Sequence, residues 1–380
     1  MFVKNYDQAL KYIFHSDNID KKFYNIDRIR QVNFLLWNPD KNYKIIHVAW
    51  TNWKWSVSNM LFSVIKNAWK KVWCFTSPHL IDIRERIKTN DWLIWKKNFV
   101  KILNLILKIN IELSYFEIIT LISFEYFKQQ NCEYAILEVW LWWLLDATNV
   151  VIPEISCITS IGNDHLDMLW PTLDDVAYNK AWIIKKWIPI VINIHNKIIE
   201  NIAQKNQSKI IFSGDKFETN LIGDHQKDNA WLTFQICKYL WFSDNQIKSW
   251  LQKVYHPWRM QYVFDNLLVD WAHNIDWTNV MKKYLETIKS NYSDIVLCFS
   301  LKKWKEPLEL VIDIFWQDRQ YIVVGYENDK LEKISVLKNK LKSVNYQIKT
   351  PRQIKNLAKK NKKILYVVFG SLYIIGEFLK

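Results

Sequence analysis

In the run His47-Val48-Ala49-Trp50-Thr51-Asn52-Trp53-Lys54-Trp55-Ser56, one lysine and a hydroxyl follow closely on the apolar pair Ile45-Ile46. A lysine placed between a strand and a helix is a compact cation suited to β- and γ-phosphate oxygens. The surrounding backbone N–H groups can hold the same oxygens. Such a loop needs residues without a Cβ, because some of its φ angles are positive and the ligand must touch bare main chain. Here those places are written Trp50, Trp53 and Trp55. An indole at any of them would fill the anion site.

Three more side chains with metal or proton chemistry sit where strands should end. Lys44 to Ala49 is a short buried strand. Loop 50–55 follows, and Ser56 to Asn67 has helical spacing of Val57, Met60, Leu61, Val64 and Ile65. Val72 to Thr76 reads as a second strand, running into Ser77-Pro78-His79-Leu80. Phe116 to Phe127 reads as a helix, and Tyr134 to Val139 as a buried strand ending in a carboxylate, Glu138. Ile155 to Ile161 is another strand, closing on Gly162-Asn163-Asp164-His165. Ligands of open α/β sheets bind at the carboxyl ends of parallel strands, so Lys54, Ser77, Glu138 and His165 are expected at one edge.

The chain has 22 Trp and only 6 Gly in 380 residues, whereas glycine usually supplies ~7% of a globular protein. Restoring glycine at the tryptophan positions brings its share back to that level. The contexts agree: Trp37-Asn38-Pro39, Trp69 before Lys70-Lys71, Trp142-Trp143 and Trp258 after Pro257 all read as turns once Trp is replaced by Gly. The pattern implies that most of these Trp codons are UGA, read as glycine in the source organism.

A chain of 380 residues exceeds the usual size of a single core, and half of its residues are apolar. Beyond Tyr255-His256-Pro257-Trp258-Arg259, a second α/β series begins with strand-like Leu267 to Asp270, Ile295 to Phe299, Tyr321 to Val324 and Ile364 to Phe369. The fold class expected is α/β: a P-loop-type ATP-binding domain with a parallel-rich sheet over 1–256, a linker at 257–260, and a smaller Rossmann-like C-terminal domain over 261–380. The net charge of +14 comes from scattered lysines without an arginine-rich cluster, which points to an anionic small molecule and away from nucleic acid. Cys74, Cys132, Cys157, Cys237 and Cys298 are widely spaced in apolar runs and read as buried free thiols of a reducing compartment. No long uncharged apolar span and no signal-like N-terminus occurs, so the expectation is a cytoplasmic protein without membrane attachment, and a monomer.

Read with Gly for Trp, residues 47–57 resemble the nucleotide loop of the folylpolyglutamate synthase/dihydrofolate synthase family, a branch of the Mur ligase superfamily. Further markers match in order: Thr76 to Leu80 with Arg84-Glu85-Arg86-Ile87, Tyr115-Phe116-Glu117, Glu138 to Trp143 with Asp146 to Val150, and Thr159 to His165. Lys180 to Lys185, His225-Gln226 with Asn229-Ala230, Pro257-Trp258-Arg259, Asp270 to Asn274, and Gly370 to Tyr373 with Gly376-Glu377 complete the set. It spans essentially the whole chain.

The resemblance implies that ATP phosphorylates a folate carboxylate and that the amine of L-glutamate attacks the acyl phosphate. It assigns Trp50, Thr51, Asn52, Trp53, Lys54, Trp55 and Ser56 to the phosphates, with Arg259 as a further phosphate contact. Asn229 and Asp270 become adenine- and ribose-side contacts, with His273 in the same nucleotide-facing loop. Ser77, Glu138 and His165 resemble the Mg²⁺ ligands, and Lys180 the lysine that the family carbamylates to hold a second ion. Lys54, Lys180 and His165 are thereby the catalytic set. Phe116 and Glu117 resemble a pterin-site pair, an aromatic face and a carboxylate. One departure is Leu144, where bifunctional bacterial members often carry Arg; it sets polyglutamylation ahead of dihydropteroate ligation. Two other readings stand beside this one. The first is a Mur-type ligase acting on a cell-wall precursor, disfavoured by Ser77-Pro78-His79; the second is a non-catalytic ATP-fold protein, should the indoles be real.

Overall fold

The structure, a computed structural model, describes residues 2–16, 25–49, 54–79, 81–90, 92–139, 145–159, 173–212, 214, 216–254, 259–272, 275–301, 320–326, 331–340 and 346–379. Two compact units result, Met1–Asn220 with His225–Tyr255, and Leu221–Asp224 with His256–Lys380.

The first unit is built on a seven-stranded sheet of β1 (Lys44–Ala49), β2 (Val72–Phe75), β3 (Ile87–Lys88), β4 (Tyr134–Glu138), β5 (Ile155–Ile158), β6 (Ile190–Ile192) and β7 (Ile210–Phe212), in the order β3-β2-β4-β1-β5-β6-β7. Every pair is parallel except β2 with β3. Parallel strands are covered on both faces and read as continuous apolar runs, as in β1, β2, β4 and β5; β1 departs from that only at its exposed first residue and at His47. The Tyr115–Gln129 helix opens on a reciprocal capping box between Ser114 and Glu117 and is buried almost all round, with Ile118 through Phe127 inside. An isolated helix of that pattern has no solvent face to show, which marks it as the core of the unit. All five cysteines are free and buried, and burial pushes their thiols up.

Helix and strand limits differ from the sequence expectation by a few residues. The helix expected from Ser56 begins at Lys54, and the strands read to Thr76 and Val139 end at Phe75 and Glu138. The turns expected at Trp37 and Trp69 are present, with φ of 65° at Trp37, 43° at Asn38 and 59° at Trp69.

The second unit carries a six-stranded sheet of β8 (Gln261–Phe264), β9 (Leu267–Val269), β10 (Asp294–Phe299), β11 (Gln320–Val324), β12 (Tyr346–Lys349) and β13 (Ile364–Phe369), in the order β12-β11-β10-β13-β9-β8. Only β8 with β9 is antiparallel. The short β8–β9 turn places Asn266, a buried amide, beneath the end of the Pro351–Lys360 helix. Its Nδ2 donates toward the carbonyls of Ala358, Asn361 and Ile364 at 2.9, 3.1 and 2.9 Å. One side chain thus satisfies carbonyls left over at a helix end and fixes the start of β9, the strand that leads to Asp270. Replacing Asn266 with Ala removes all three contacts and leaves the buried Ala358 carbonyl without this donor; the expected cost is about 2 kcal/mol, read as a lowered denaturant midpoint with an unchanged far-UV spectrum.

Candidate active site

The parallel registers bring several strand ends to one edge. Val48 lies beside Glu138 on one flank and Cys157 on the other, Ala49 pairs with Ile158, and Phe75 pairs with Leu137. The residues that follow β1, β2, β4 and β5 therefore emerge together, at the point where the sheet's connections turn in opposite directions from β1. Glu138, the last residue of β4, and Ser77, two residues past β2, are both buried there. Lys180 closes the Leu173–Lys180 helix and is fully buried. The next residue, Ala181, packs in one cluster with Ala49, Val139 and Ile158, which places this segment at the same edge. Lysine is kept inside a protein when its amine is partnered or neutral, and Lys180 does engage other groups of the fold.

Ser77 is held by a residue to which the sequence reading gave no role. Arg86 donates from Nη1 to Ser77 Oγ at 2.6 Å and from Nε to His79 Nδ1 at 2.9 Å, and its guanidinium lies over the Tyr115 ring at 5.5 Å. Arg86 ends a short 3-10 helix, Ile83–Arg86, capped by Asp82 and Glu85. Tyr6 donates to Asp82 at 2.6 Å, and Arg84 forms a two-nitrogen grip on both of its oxygens. Burial works against the Asp82 charge, but the hydrogen bonds from Arg84 and Tyr6 outweigh it and bring the carboxyl down to about 2.

His47, inside β1, is fully buried and faces Thr148, with Nε2 to Oγ1 at 2.9 Å. The Thr148 hydroxyl in turn donates to Asp146 Oδ1 at 2.6 Å, so His47 must be the donor to Thr148. That fixes the proton on Nε2 and leaves Nδ1 without a hydrogen bond. Burial, with the nearby Lys185 ammonium, lowers the imidazole to about 3, so the ring is neutral. Lys185 donates to Asn149 Oδ1 at 2.7 Å and to its carbonyl at 3.0 Å, and burial lowers its amine to about 8. The strand before loop 50–53 and the segment after 140–144 are joined by these contacts. The anchoring residues Asp146, Thr148, Asn149 and Lys185 belong to motifs visible in the sequence; their pairing with His47 was not.

The Lys54–Asn67 helix packs against the His225–Tyr239 helix. Gln226 Nε2 donates to Ser56 Oγ at 3.2 Å, and Asn229 Nδ2 donates to Gln226 Oε1 at 3.1 Å. Ser56 and Asn229, expected at opposite ends of a nucleotide, are linked through Gln226, a residue in a recognised motif that had been given no role. Lys54 is the first residue of its helix, and Trp55 beside it is buried. Trp50, Thr51, Asn52 and Trp53 lie outside the described residues, as do Trp140 to Leu144, His165 and His273. Among the described residues no group of three His, Cys, Asp or Glu could hold a metal. Ser77 and Glu138 remain as hard oxygen donors, a set that suits Mg²⁺.

Phe116 is half-buried with its ring 5.8 Å from that of Phe75. Glu117 is buried, and both of its contacts fall on Oε2: the Ser114 backbone N–H at 2.7 Å and Arg28 Nη2 at 3.4 Å. Its carboxylate thus serves the helix start as well as any ligand.

In the second unit Arg259 and Asp270 form a buried pair, Nη1 to Oδ1 at 3.8 Å, while the Met260 N–H donates to Asp270 Oδ2 at 2.8 Å. Burial lowers the guanidinium to about 10 and raises the carboxyl, the Arg259 charge opposing that rise. The guanidinium is 3.4 Å from the Trp277 ring centroid and 5.0 Å from that of Trp271.

Residues 94–249, within the first unit, match the Mur ligase middle domain. Over nearly its whole length the chain is similar to folylpolyglutamate synthases/dihydrofolate synthases. It is 28% identical to the dihydrofolate synthase/folylpolyglutamate synthase of Bacillus subtilis over 93% of this chain and 94% of that one. The folylpolyglutamate synthase of Thermotoga maritima superposes with a TM-score of 0.85 at 24% identity, covering 98% of this chain and 96% of that one. The bifunctional enzyme of Yersinia pestis, complexed with AMPPNP and a manganese ion, superposes with a TM-score of 0.87 at 21% identity, covering 99% and 98%.

Two outcomes test the edge. The buried imidazole takes a proton only near 3, the unfolded chain near 6.5. Stability held above 6.5 is therefore lost as pH falls toward 3, by about 1.4 kcal/mol per pH unit at most. In His47→Gln that loss disappears, so urea midpoints at neutral and mildly acidic pH differ less than in the parent. Arg86→Lys keeps the charge but not the two-nitrogen fork; the expected cost is about 1–3 kcal/mol, measured by denaturant unfolding.

Proposed function

We propose that this chain adds L-glutamate to a folate at the expense of ATP. The observation that carries the reading is the arrival of Ser77, Glu138 and the Lys180 segment at one sheet edge, beside the start of the Lys54 helix, in a chain similar to these synthases. A folate carboxylate oxygen attacks the γ-phosphorus of ATP, ADP departs, and an acyl phosphate forms. The amine of glutamate then attacks the acyl carbon, phosphate leaves, and the nitrogen gives up a proton as the amide forms. Lys54 is assigned to the β- and γ-phosphates and Ser56 to the phosphate–metal region. Ser77, Glu138 and His165 are assigned to Mg²⁺, which supplies charge neutralisation when bound. Arg86 holds the Ser77 hydroxyl in place.

Lys180, carried as a carbamate, is assigned to a second metal ion; formation of a carbamate requires a neutral amine, and its full burial favours one. Asn229, Arg259, Asp270 and His273 are assigned to the nucleotide, and Phe116 with Glu117 to the pterin. Leu144 in place of Arg makes a pre-existing folate, and not dihydropteroate, the expected acceptor. The protein acts as a monomer in the cytoplasm under this reading; among the described residues no helix is long and apolar enough to cross a membrane.

The test is ADP release by the chain as written and by a version with glycine at 50, 53 and 55, supplied with tetrahydrofolate or dihydropteroate and L-glutamate. Turnover that requires tetrahydrofolate and glutamate together is expected, abolished by chelation and restored by Mg²⁺. Glu138→Gln and Lys180→Ala each lower kcat by about 100-fold or more. Absence of folate-dependent turnover in both versions overturns the assignment.

A further inference from the structure

Four tryptophans occupy left-handed backbone: Trp37 at φ 65°, Trp69 at 59°, Trp187 at 64° and Trp241 at 69°. Three of them close helices in the same way. Trp37 N–H donates to Phe34 and Asn38 N–H to Asn33; Trp69 N–H to Lys66 and Lys70 N–H to Ile65; Trp241 N–H to Lys238 and Phe242 N–H to Cys237. Each pair is the 5→2 and 6→1 bonding of a Schellman cap, and each tryptophan sits at the position glycine dominates because a Cβ there crowds the backbone. Trp187 is the third residue of the turn closed by Ile188 N–H to Lys185 O at 3.2 Å, the place where a positive φ again calls for glycine.

What the indoles do at these places is equally informative. They are 84%, 94%, 66% and 95% exposed in chain order. Among the described residues the rings of Trp37, Trp69 and Trp241 make no hydrogen bond and no ring contact. Trp187 alone reaches a neighbour, from Nε1 to Gln207 Oε1 at 2.5 Å beneath the Lys186 ammonium. The same cap elsewhere in the chain is closed by Asn131 and Gln207, and asparagine is the usual second choice to glycine. At 37, 69 and 241 a large side chain sits at a position that penalises any side chain and lies almost wholly in solvent, so nothing selects it; at 187 only a surface contact with Gln207 and Lys186 offsets the same penalty.

We infer that the polypeptide made in the source organism carries glycine at 37, 69, 187 and 241, the tryptophan codons there being read as glycine. This goes beyond the nucleotide loop, whose need for glycine depends on its ligand; the three caps and the turn need it whatever reaction the protein catalyses.

Two measurements test it. Peptides spanning the four positions, taken from protein purified from its source and sequenced by tandem mass spectrometry, are expected to contain glycine; tryptophan in them overturns the inference. The chain with Trp37→Gly, Trp69→Gly, Trp187→Gly and Trp241→Gly is expected to show a higher urea midpoint than the chain as written. A fourfold alanine chain, which loses the indoles but keeps each Cβ, is expected to fall below the glycine chain. A glycine midpoint no higher than that of the parent, or no higher than that of the alanine chain, also overturns it. A glycine chain that is stabilised yet shows no folate-dependent turnover leaves this inference standing and removes the ligase assignment.

Discussion

Parallel pairing on both sides of β1 is the constraint from which the rest follows. A parallel neighbour fixes not only which residues touch but which end of the strand they share. Val48 lies opposite both Glu138 and Cys157, so whatever follows β4 and β5 must emerge where β1 gives way to its loop. Chemistry that needs a hydroxyl, a carboxylate and cations at one point can then draw on distant stretches of sequence without any long connection. The same constraint forces the strands to be apolar on both faces, because helices cover each side. Polar residues inside them, such as His47 and Glu138, accordingly stand out as having a task.

Around this edge, hydrogen bonds decide orientation. Arg86 grips Ser77, Gln226 joins Ser56 to Asn229, and His47 reaches Thr148 and through it Asp146. Each link spans two elements, and each has little freedom left. The guanidinium is committed through two nitrogens, and the Thr148 hydroxyl can accept from His47 only because its own proton goes to Asp146. A ligand arriving here meets side chains whose directions are already set, which lowers the ordering cost of binding.

Much of this was legible in the sequence, for definable reasons. Strands such as Lys44–Ala49 and Ile364–Phe369 were read nearly to the residue because a doubly covered strand is an uninterrupted apolar run. The short pieces β3, β6, β7, β8 and β12 escaped; β3 is two residues of an antiparallel edge, and Tyr346–Lys349 is only partly covered. Ser77, Glu138 and Lys54 were legible as residues at or just past strand ends, Lys54 being expected in the loop that its helix in fact begins with. Arg86, Gln226 and His47 were not assigned roles, since their partners lie 9, 170 and 101 positions away and nothing local encodes those pairings. Lys180 was named through the family resemblance alone; its full burial is a property of the fold that no local pattern carries. Glu117 was legible as a carboxylate, but its commitment to Ser114 and Arg28 shows the helix start competing for the same oxygen.

The tryptophans divide by what their positions ask of them. Trp73 lies in a strand, where any side chain fits the backbone, and packs edge-on to Tyr126 and Phe127 at 5.4 and 5.7 Å. Trp277 lies in a helix and covers the Arg259 guanidinium. At those places glycine or tryptophan is a matter of contacts, and exchanging one for the other trades a cavity against a ring. At Trp37, Trp69 and Trp241 the backbone is left-handed, the ring is in solvent, and the cost of a Cβ, roughly 1 kcal/mol each, has no contact to offset it. Backbone conformation therefore discriminates between the two residue types where packing cannot. Trp271 and Trp277 show what is at stake for function: both rings face Arg259, and without them the buried cation would depend on Asp270 and on whatever anion the site admits.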